Sequence, residues 1–267
     1  MGVITISRGS YSKGKEIAEK LSRKLGYECI SRDVILEASQ HFNIPELKLI
    51  RAIHDAPSVL TRFKHGRERY IAFIREAFLG HIQKDNVIYH GLAGHFFVRG
   101  IPNILKVRII ADIEDRVKEE MARENISEKE ARHILIKDDE ERRKWAMSLY
   151  GMDTKDSSLY DVVLHIDNLK ADDAVEILGD IAKRPSFQLT EESQKILSDY
   201  YLGAKAHAAI IESYPSAEVK SKNGVVYIRM EAVLSQEKEI SDDVRHILKD
   251  VEGIGGLEVH IIPIDMA

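Results

Sequence analysis

Short apolar runs alternate with segments of helical periodicity over the first two thirds of the chain. The apolar, β-rich runs predict strands at Val3–Ser7, Glu28–Ile30, Asn86–His90, Lys106–Ala111 and Val162–Ile166. Apolar residues at helical spacing predict helices at Lys15–Leu25, Arg69–Gln83, Ile113–Glu124, Glu128–Lys137 and Ala171–Ile181. Short apolar strands separated by amphipathic helices are typical of an α/β fold. The pattern therefore predicts a parallel sheet with helices on both faces.

The pattern changes after Arg184-Pro185-Ser186, where we predict a domain boundary between residues 185 and 186. The turn Lys222-Asn223-Gly224 separates two strand-like runs, and Asn-Gly is a strong hairpin signal. A helix precedes this hairpin, and a second helix and a last strand follow it. Residues 186–267 therefore predict a small α+β domain with the order α-β-β-α-β.

A glycine-bounded loop follows the first predicted strand and precedes the first predicted helix. Strand, loop and helix in this order are the context of a phosphate-binding P-loop, in which backbone N–H groups converge on a phosphate. Lys15 stands where such a loop places the lysine that reaches the β- and γ-phosphates. The alternative is an ordinary glycine turn. The predicted phosphate-binding residues are Gly9, Ser10, Tyr11, Ser12, Lys13, Gly14, Lys15 and Glu16.

Glu16 departs from the P-loop pattern, which calls for Ser or Thr at this position. That hydroxyl normally ligates Mg²⁺, and a carboxylate adds negative charge beside a triphosphate. In an ordinary helix, Glu16 would instead favour the positive start of the helix. The sequence thus predicts a phosphate site more firmly than a magnesium site.

Composition describes an ordinary globular protein and narrows its partners. The 267 residues are 44% hydrophobic and 31% charged, with a net charge of −5, which gives no general attraction to nucleic acid or anionic membranes. Cys29 is the single cysteine, so no disulfide framework is expected. We see no signal peptide and no bilayer-spanning run, and expect a cytoplasmic protein. The spacing of His90 and His95 matches no metal site, and a homo-oligomer is left open.

Residues 1 to about 183 resemble the cytidylate kinase-like family of P-loop nucleoside monophosphate kinases. The segments that carry the resemblance are ITISRGSYSKGKEIAEKLSRKLG, KVRIIADIEDRVKEEMARENISEKEAR, KDDEERRKWAMSLYG and SSLYDVVLHIDNL. In this family an acidic residue often follows the basic residue of the loop, as Glu16 does here. The C-terminal unit is similar to a BON domain in SKNGVVYIRMEAV and DVEGIGGLEVHII. The resemblance implies a kinase-like domain over 1–185 and a BON-like domain over 186–267.

The resemblance implies ATP-dependent phosphoryl transfer to a nucleoside monophosphate, with CMP or dCMP as the expected acceptor and Mg²⁺ bound with the nucleotide. It implies catalytic roles for Lys15 in the loop and for Arg142 and Arg143 in an arginine-bearing lid. Guanidinium groups suit this task because they bind phosphate through a planar fork. The alternative for Arg142 and Arg143 is a solvated helix face with ion pairs.

The predicted acceptor-binding residues are Arg8, Arg32 and Asp33. Arg8 precedes the loop and could instead pair with a carboxylate at the sheet edge, and Asp33 could instead cap a helix. Arg116 and Arg123 lie two turns apart on one predicted helix and could face the nucleotide, but single arginines there usually face solvent.

Two other functions remain open on the sequence. A nucleotide-binding sensor without turnover could signal through the BON-like domain, since Glu16 departs from the motif. A kinase of another phosphorylated metabolite is the second, because the sequence does not define a base-reading pocket. For the C-terminal domain we expect ligand or partner binding, or a packing role.

Overall fold

The computed structural model describes residues 2–9, 13–32, 64–91 and 93–263. Along these residues the strands are β1 Val3–Arg8, β2 Glu28–Ser31, β3 Val87–His90, β4 Ile104–Ala111, β5 Val162–Ile166, β6 Glu218–Lys222, β7 Val225–Ala232 and β8 Gly256–Pro263. The helices are α1 Gly14–Leu25, α2 Gly66–Ile82, α3 Gly94–Phe97, α4 Ile113–Glu124, α5 Glu128–Tyr150, α6 Ala171–Ala182, α7 Glu191–Ile210 and α8 Glu237–Leu248. Of these helices, none has the length and apolarity needed to cross a membrane.

The first sheet is parallel throughout, with the strand order β2-β3-β1-β4-β5. β1 lies at its centre, where Ile6 is in register with His90 of β3 and Val107 of β4. Ligands of parallel sheets bind outside the carboxyl ends of the strands. The predicted α/β fold is confirmed, and the loop after β1 lies at the middle of that edge.

Helices cover both faces of this sheet because its strands are apolar on both sides. On one face β1 packs with α1 and α6 in a cluster that includes Ile4, Ile6, Leu21 and Leu178. On the other face the sheet packs with α2, α3, α5 and α7 in a cluster that includes Val3, Phe78, Phe97, Trp145 and Leu197. The second face is the more aromatic of the two.

Helix α5 is longer than the periodicity predicts: the predicted helix ends at Lys137, and the observed helix continues to Tyr150. A capping box starts it: Glu130 N–H donates to the Ser127 hydroxyl, and Ser127 N–H donates to the Glu130 carboxylate. Its charged second half carries little apolar periodicity but contains no glycine or proline before Gly151, which ends the helix at φ 66°. The segment that holds Arg142 and Arg143 is therefore helical.

The C-terminal unit has its own sheet with the strand order β6-β7-β8. In it, β6 is antiparallel to β7, and β7 is parallel to β8. The predicted hairpin turn is confirmed, since Asn223 and Gly224 have φ values of 52° and 76°. A cluster of its own fills this unit and includes Leu202, Val226, Ile228, Val244 and Ile261.

Helix α7 belongs to both units. Leu197 and Ala204 are buried in the aromatic cluster of the first unit. Leu202 and Ile210, on the other side of the helix, are buried in the cluster of the C-terminal unit. The division at residue 185 stays a prediction, and any test of it must take account of this shared helix.

Candidate functional site

The loop between β1 and α1 follows Arg8, the last residue of β1, and its other end, at Gly14, lies against the Arg8 side chain. Lys13 caps α1 in the left-handed conformation, with φ 65°. A Cβ atom added at Gly14 would lie 2.6 Å from the Cβ of Arg8, closer than two carbon atoms tolerate. Gly14 thus lets the start of α1 approach the end of β1. The middle of the predicted loop lies outside the described residues: Ser10, Tyr11 and Ser12.

Glu16 is balanced by two lysines. Its carboxylate lies 2.8 Å from Lys20 Nζ and 3.7 Å from Lys13 Nζ. Lys13 Nζ also pairs with Glu119 of α4, and the hydrogen bond to Glu119 is the main cause that raises the pKa of Lys13. The negative charge that departs from the P-loop pattern is therefore neutralised within the fold, by lysines of the loop and of α1.

Lys15 lies on the exposed side of α1. Its side chain is 65% exposed, and its Nζ is 3.7 Å from a carboxylate oxygen of Glu19, one helical turn later. A contact between Lys15 and nucleotide phosphates remains a prediction.

Arg116 and Asp139 form an ion pair beside the start of the loop. Arg116 Nη1 lies 2.7 Å from Asp139 Oδ2, and the Arg116 side chain is only 8% exposed. A Cβ atom placed on Gly9 would lie 3.7 Å from Asp139 Oδ1 and 3.8 Å from Arg116 Cζ. The loop, α4 and α5 thus meet here, and the expectation that arginines of α4 face solvent is wrong for Arg116.

Arg142 and Arg143 point to different surroundings. Arg142 is half-buried and interacts electrostatically with Arg8, Arg32, Asp138 and Asp139. Burial, followed by the like charge of Arg8, lowers the pKa of Arg142, and the two carboxylates act in the opposite direction. Arg143 is 42% exposed, and its Nε donates to Asp153 at 2.9 Å, beyond the end of α5. We call Arg8, Arg32 and Arg142 the arginine cluster.

Arg32 lies directly after β2 in an aromatic setting. Its Nη2 is 3.4 Å from the Tyr70 hydroxyl, and its Cζ lies 5.5 Å from the ring centroid of Trp145. Gly91, after β3, lies against Tyr89 and Arg32, because a Cβ atom there would lie 2.7 Å from the Tyr89 hydroxyl and 3.3 Å from Arg32 Cβ. Asp33, the third predicted acceptor residue, lies outside the described residues.

The Tyr160 hydroxyl is the centre of a buried polar network. It donates to the Thr154 carbonyl at 3.0 Å and accepts from Arg108 at 3.3 Å. Ser7 Oγ and His95 Nε2 each lie 3.3 Å from the same hydroxyl. Burial, and next the charge of Arg108, lower the pKa of His95 to about 3. The network ties the end of β1 to α3 and to the segment that follows α5.

Within the described ranges, no three His, Cys, Asp or Glu side chains are grouped to hold a metal ion. Glu16 and Asp139 are carboxylates beside the loop, and both are in ion pairs. This donor set fits Mg²⁺ that arrives bound to nucleotide phosphates, as Mg²⁺ commonly does, better than a resident cation.

Sequence reasoning did not find the Tyr160 network or the tyrosines around Arg32, and for Arg116 it left open a position facing the nucleotide or one facing solvent. Arg116 could have been found from strand order, because it follows β4, whose carboxyl end lies beside that of β1. Tyr70 and Tyr150 left no comparable signal, since they come from helices far apart in the sequence.

Comparison with known proteins identifies the family to which the first part of the chain is similar. A model of the cytidylate kinase-like family matches residues 3–168. Cytidylate kinase from Sulfolobus acidocaldarius is 26% identical over 182 residues, which are 68% of this chain and 94% of that protein. Cytidylate kinase from Thermoplasma acidophilum is 28% identical over 170 residues, covering 62% of this chain and 85% of that protein.

Among solved structures, an uncharacterized protein from Eubacterium ventriosum is similar, with a TM-score of 0.53 and 20% identity. The likeness covers 69% of this chain and 100% of that chain. It supports the fold. The family match ends at residue 168, before α7 begins.

Proposed function

Because the chain belongs to the cytidylate kinase-like family, we propose that it transfers a phosphoryl group from ATP to a nucleoside monophosphate. The observation that carries this proposal is the arginine cluster. Arg8 ends β1 and Arg32 follows β2, and the like charges of both act on Arg142 of α5, on which Asp138 and Asp139 act in the opposite direction. A bound phosphate dianion relieves this repulsion, and guanidinium forks match its geometry.

The division of roles follows the two sides of the site. The loop, with Gly14, Lys13 and Lys15, binds the phosphates of ATP, and the arginine cluster binds the phosphate of the acceptor. An oxygen of the acceptor phosphate attacks the γ-phosphorus as the bond to the bridging oxygen of ADP breaks, and ADP leaves with the electron pair. The arginines hold the reacting oxygens together and offset their charge. Mg²⁺ bound to the nucleotide would neutralise further phosphate charge.

For the acceptor we propose CMP or dCMP, read by Arg8, Arg32 and Asp33. The names of the two relatives support this choice. The test is diphosphate formation from CMP, dCMP, UMP, AMP and GMP with ATP and Mg²⁺. Arg142→Met supplies the background. Arg132→Met is the matched control, since Arg132 lies on the same helix but pairs with Glu114 and Glu128.

We expect transfer to CMP or dCMP above transfer to the other acceptors, with Arg132→Met close to wild type. Transfer to none of the monophosphates above the Arg142→Met background would contradict the kinase proposal. Faster transfer to a purine acceptor would contradict only the choice of acceptor. Other phosphorylated metabolites in the same assay test the remaining kinase alternative.

A nucleotide-binding sensor without turnover is the second candidate, and the loop side favours it. Lys13 and Glu16 pair with other side chains of the protein, and Lys15 is largely exposed. This candidate predicts ATP binding by calorimetry with transfer no faster than background. Turnover of any acceptor rules it out.

For the C-terminal unit we propose a BON-like ligand- or partner-binding role. A cavity of about 770 Å³ supports it, lined by Gln83 and Asp85 after α2 and by Lys205, Asn223 and Glu252 of the C-terminal unit. Because α7 is shared, the test removes residues 213–267 and replaces the uncovered Leu202 and Ile210 by Glu. ATP binding should persist in this truncated protein. A folded truncation that no longer binds ATP would contradict the division of labour.

A further inference from the structure

Two buried polar atoms near the arginine cluster have no hydrogen-bond partner among the described residues: Arg32 Nε and the Tyr150 hydroxyl. One is a donor, and the other can accept. Buried polar groups that stay unpaired cost free energy, and such groups at a site point to an arrangement completed by ligand binding. Burial raises the pKa of Tyr150 well above its usual range, so its hydroxyl is neutral.

The side chain of Tyr150 is packed more tightly than that of Arg32. The Tyr150 ring packs at 4.9 Å from Phe96 and, nearly perpendicular, at 5.5 Å from Phe97, centroid to centroid. Among the described residues, Arg32 makes one long hydrogen bond, 3.4 Å to Tyr70, and lies over Trp145. Tyr150 is therefore the fixed partner, and Arg32 is the side chain that a phosphate can draw into a new position.

Tyr150 lies close enough to Tyr70, Tyr89 and Arg32 to interact with them electrostatically, and Arg32 in turn interacts with all three tyrosines. Tyr150 and Arg142 both come from the last turns of α5. This helix therefore carries both Arg142 of the arginine cluster and the hydroxyl that interacts with Arg32. A guanidinium that offers both terminal nitrogens to a phosphate leaves its Nε–H for a protein acceptor.

Resting on the acceptor role of the arginine cluster, we propose that Tyr150 is a positioning residue for Arg32. When the acceptor phosphate is bound, Arg32 Nε donates to the Tyr150 hydroxyl, and the terminal nitrogens of Arg32 hold two phosphate oxygens. Tyr150 then contributes to affinity only through Arg32. Its contribution is confined to ligands that carry a phosphate.

The test compares CMP with cytidine, which lacks the phosphate, by calorimetry on the full chain. Tyr150→Phe should weaken CMP binding about tenfold, the loss of one charge-assisted hydrogen bond, and leave cytidine and ATP binding unchanged. Tyr214→Phe is the matched control, because its hydroxyl bonds Asp243 in the C-terminal unit, and it should change none of the three. In an Arg32→Lys background, which lacks Nε, Tyr150→Phe should have no further effect on CMP.

Equal weakening of CMP and cytidine by Tyr150→Phe would overturn the proposal, because a general packing defect affects both ligands. An unchanged CMP affinity, or an undiminished effect in the Arg32→Lys background, would also overturn it. Wild-type protein that binds no CMP would overturn the acceptor assignment itself, which separates that failure from a failure of Tyr150 alone.

Discussion

The loop side of the site and the arginine cluster satisfy their charges differently. On the loop side, Lys13, Lys15 and Glu16 lie at the surface, each within 4 Å of an opposite charge. In the arginine cluster, burial and the charges of Arg8 and Arg32 lower the pKa of Arg142, and the charges of Asp138 and Asp139 act in the opposite direction. Surface ion pairs are screened by water and contribute little to stability, whereas charges that are partly removed from water interact more strongly.

This difference teaches where binding energy is to be expected. Exposed lysines exchange a carboxylate for a phosphate at small gain, because both states are well solvated. The half-buried guanidinium groups of the cluster gain more from an anion, since surroundings of lower dielectric constant strengthen the attraction. We therefore expect substitutions in the cluster to have larger consequences than substitutions on the loop side.

The largest effect is expected for Arg142→Met with ATP and CMP as substrates. The rate of transfer should fall about 10³-fold, the scale of an arginine that stabilises phosphoryl transfer. Lys15→Met should lower the rate about 10²-fold, because its exposed ammonium group must leave water to act. Steady-state kcat and KM measure both. A larger loss for Lys15→Met would reverse the comparison.

Acid should destabilise the folded protein, because two of its histidines, His95 and His207, have lowered pKa values. Burial lowers the pKa of His95 to about 3, and burial, then the charge of Arg75, lowers the pKa of His207 to about 4. The unfolded histidines bind protons near pH 6.5, so unfolding takes up protons below that pH. The free energy of unfolding should fall by about 1.4 kcal/mol per pH unit for each histidine, between pH 6.5 and about 4.

Urea unfolding at pH 7, 6 and 5 measures this slope. Carboxylates also titrate, so the comparison is with His95→Gln and His207→Gln, each of which should flatten the slope. His133→Gln, at an exposed position of α5, is the matched control and should leave the slope unchanged. An equal slope in all variants would show that buried histidines do not set the acid response.

A smaller loss of stability is expected at Gly14, where the loop contacts Arg8 of the arginine cluster. Gly14→Ala should lower the free energy of unfolding by about 1–3 kcal/mol, because its Cβ would overlap the Cβ of Arg8. Gly9→Ala is the control, since a Cβ there meets its neighbours no closer than 3.7 Å. If both variants unfold at the same urea concentration, the close approach of Arg8 and Gly14 is not a constraint.

The smallest effect should come from the loop side. Glu119→Gln removes one of the two carboxylates that pair with Lys13 and should cost less than about 1 kcal/mol, because the pair is exposed. The difference from wild type should shrink further in 1 M salt, where such pairs are screened. A loss above 2 kcal/mol that persists in salt would show that the loop depends on this pair.

The sequence by itself determined the alternation of strands and helices, the class of fold, the place of the loop and the hairpin of the C-terminal unit. These features depend on periodicity and on turn chemistry, which act between residues close in the chain. Lys13 and Gly14 could be located because a loop between strand and helix is defined by its immediate neighbours. The full length of α5 was missed, because its charged half shows helix propensity without an apolar stripe.

The tertiary structure alone decided which side chains meet. Arg142 and Arg143 are adjacent in sequence, yet one faces the cluster and the other pairs with Asp153. Strand order placed Arg116 beside the loop, and the packing of α2 and α5 on one sheet face brought Tyr70 to Arg32. α7 joined two cores because both of its faces are apolar enough to be buried. Such contacts depend on long-range packing, which no local pattern encodes.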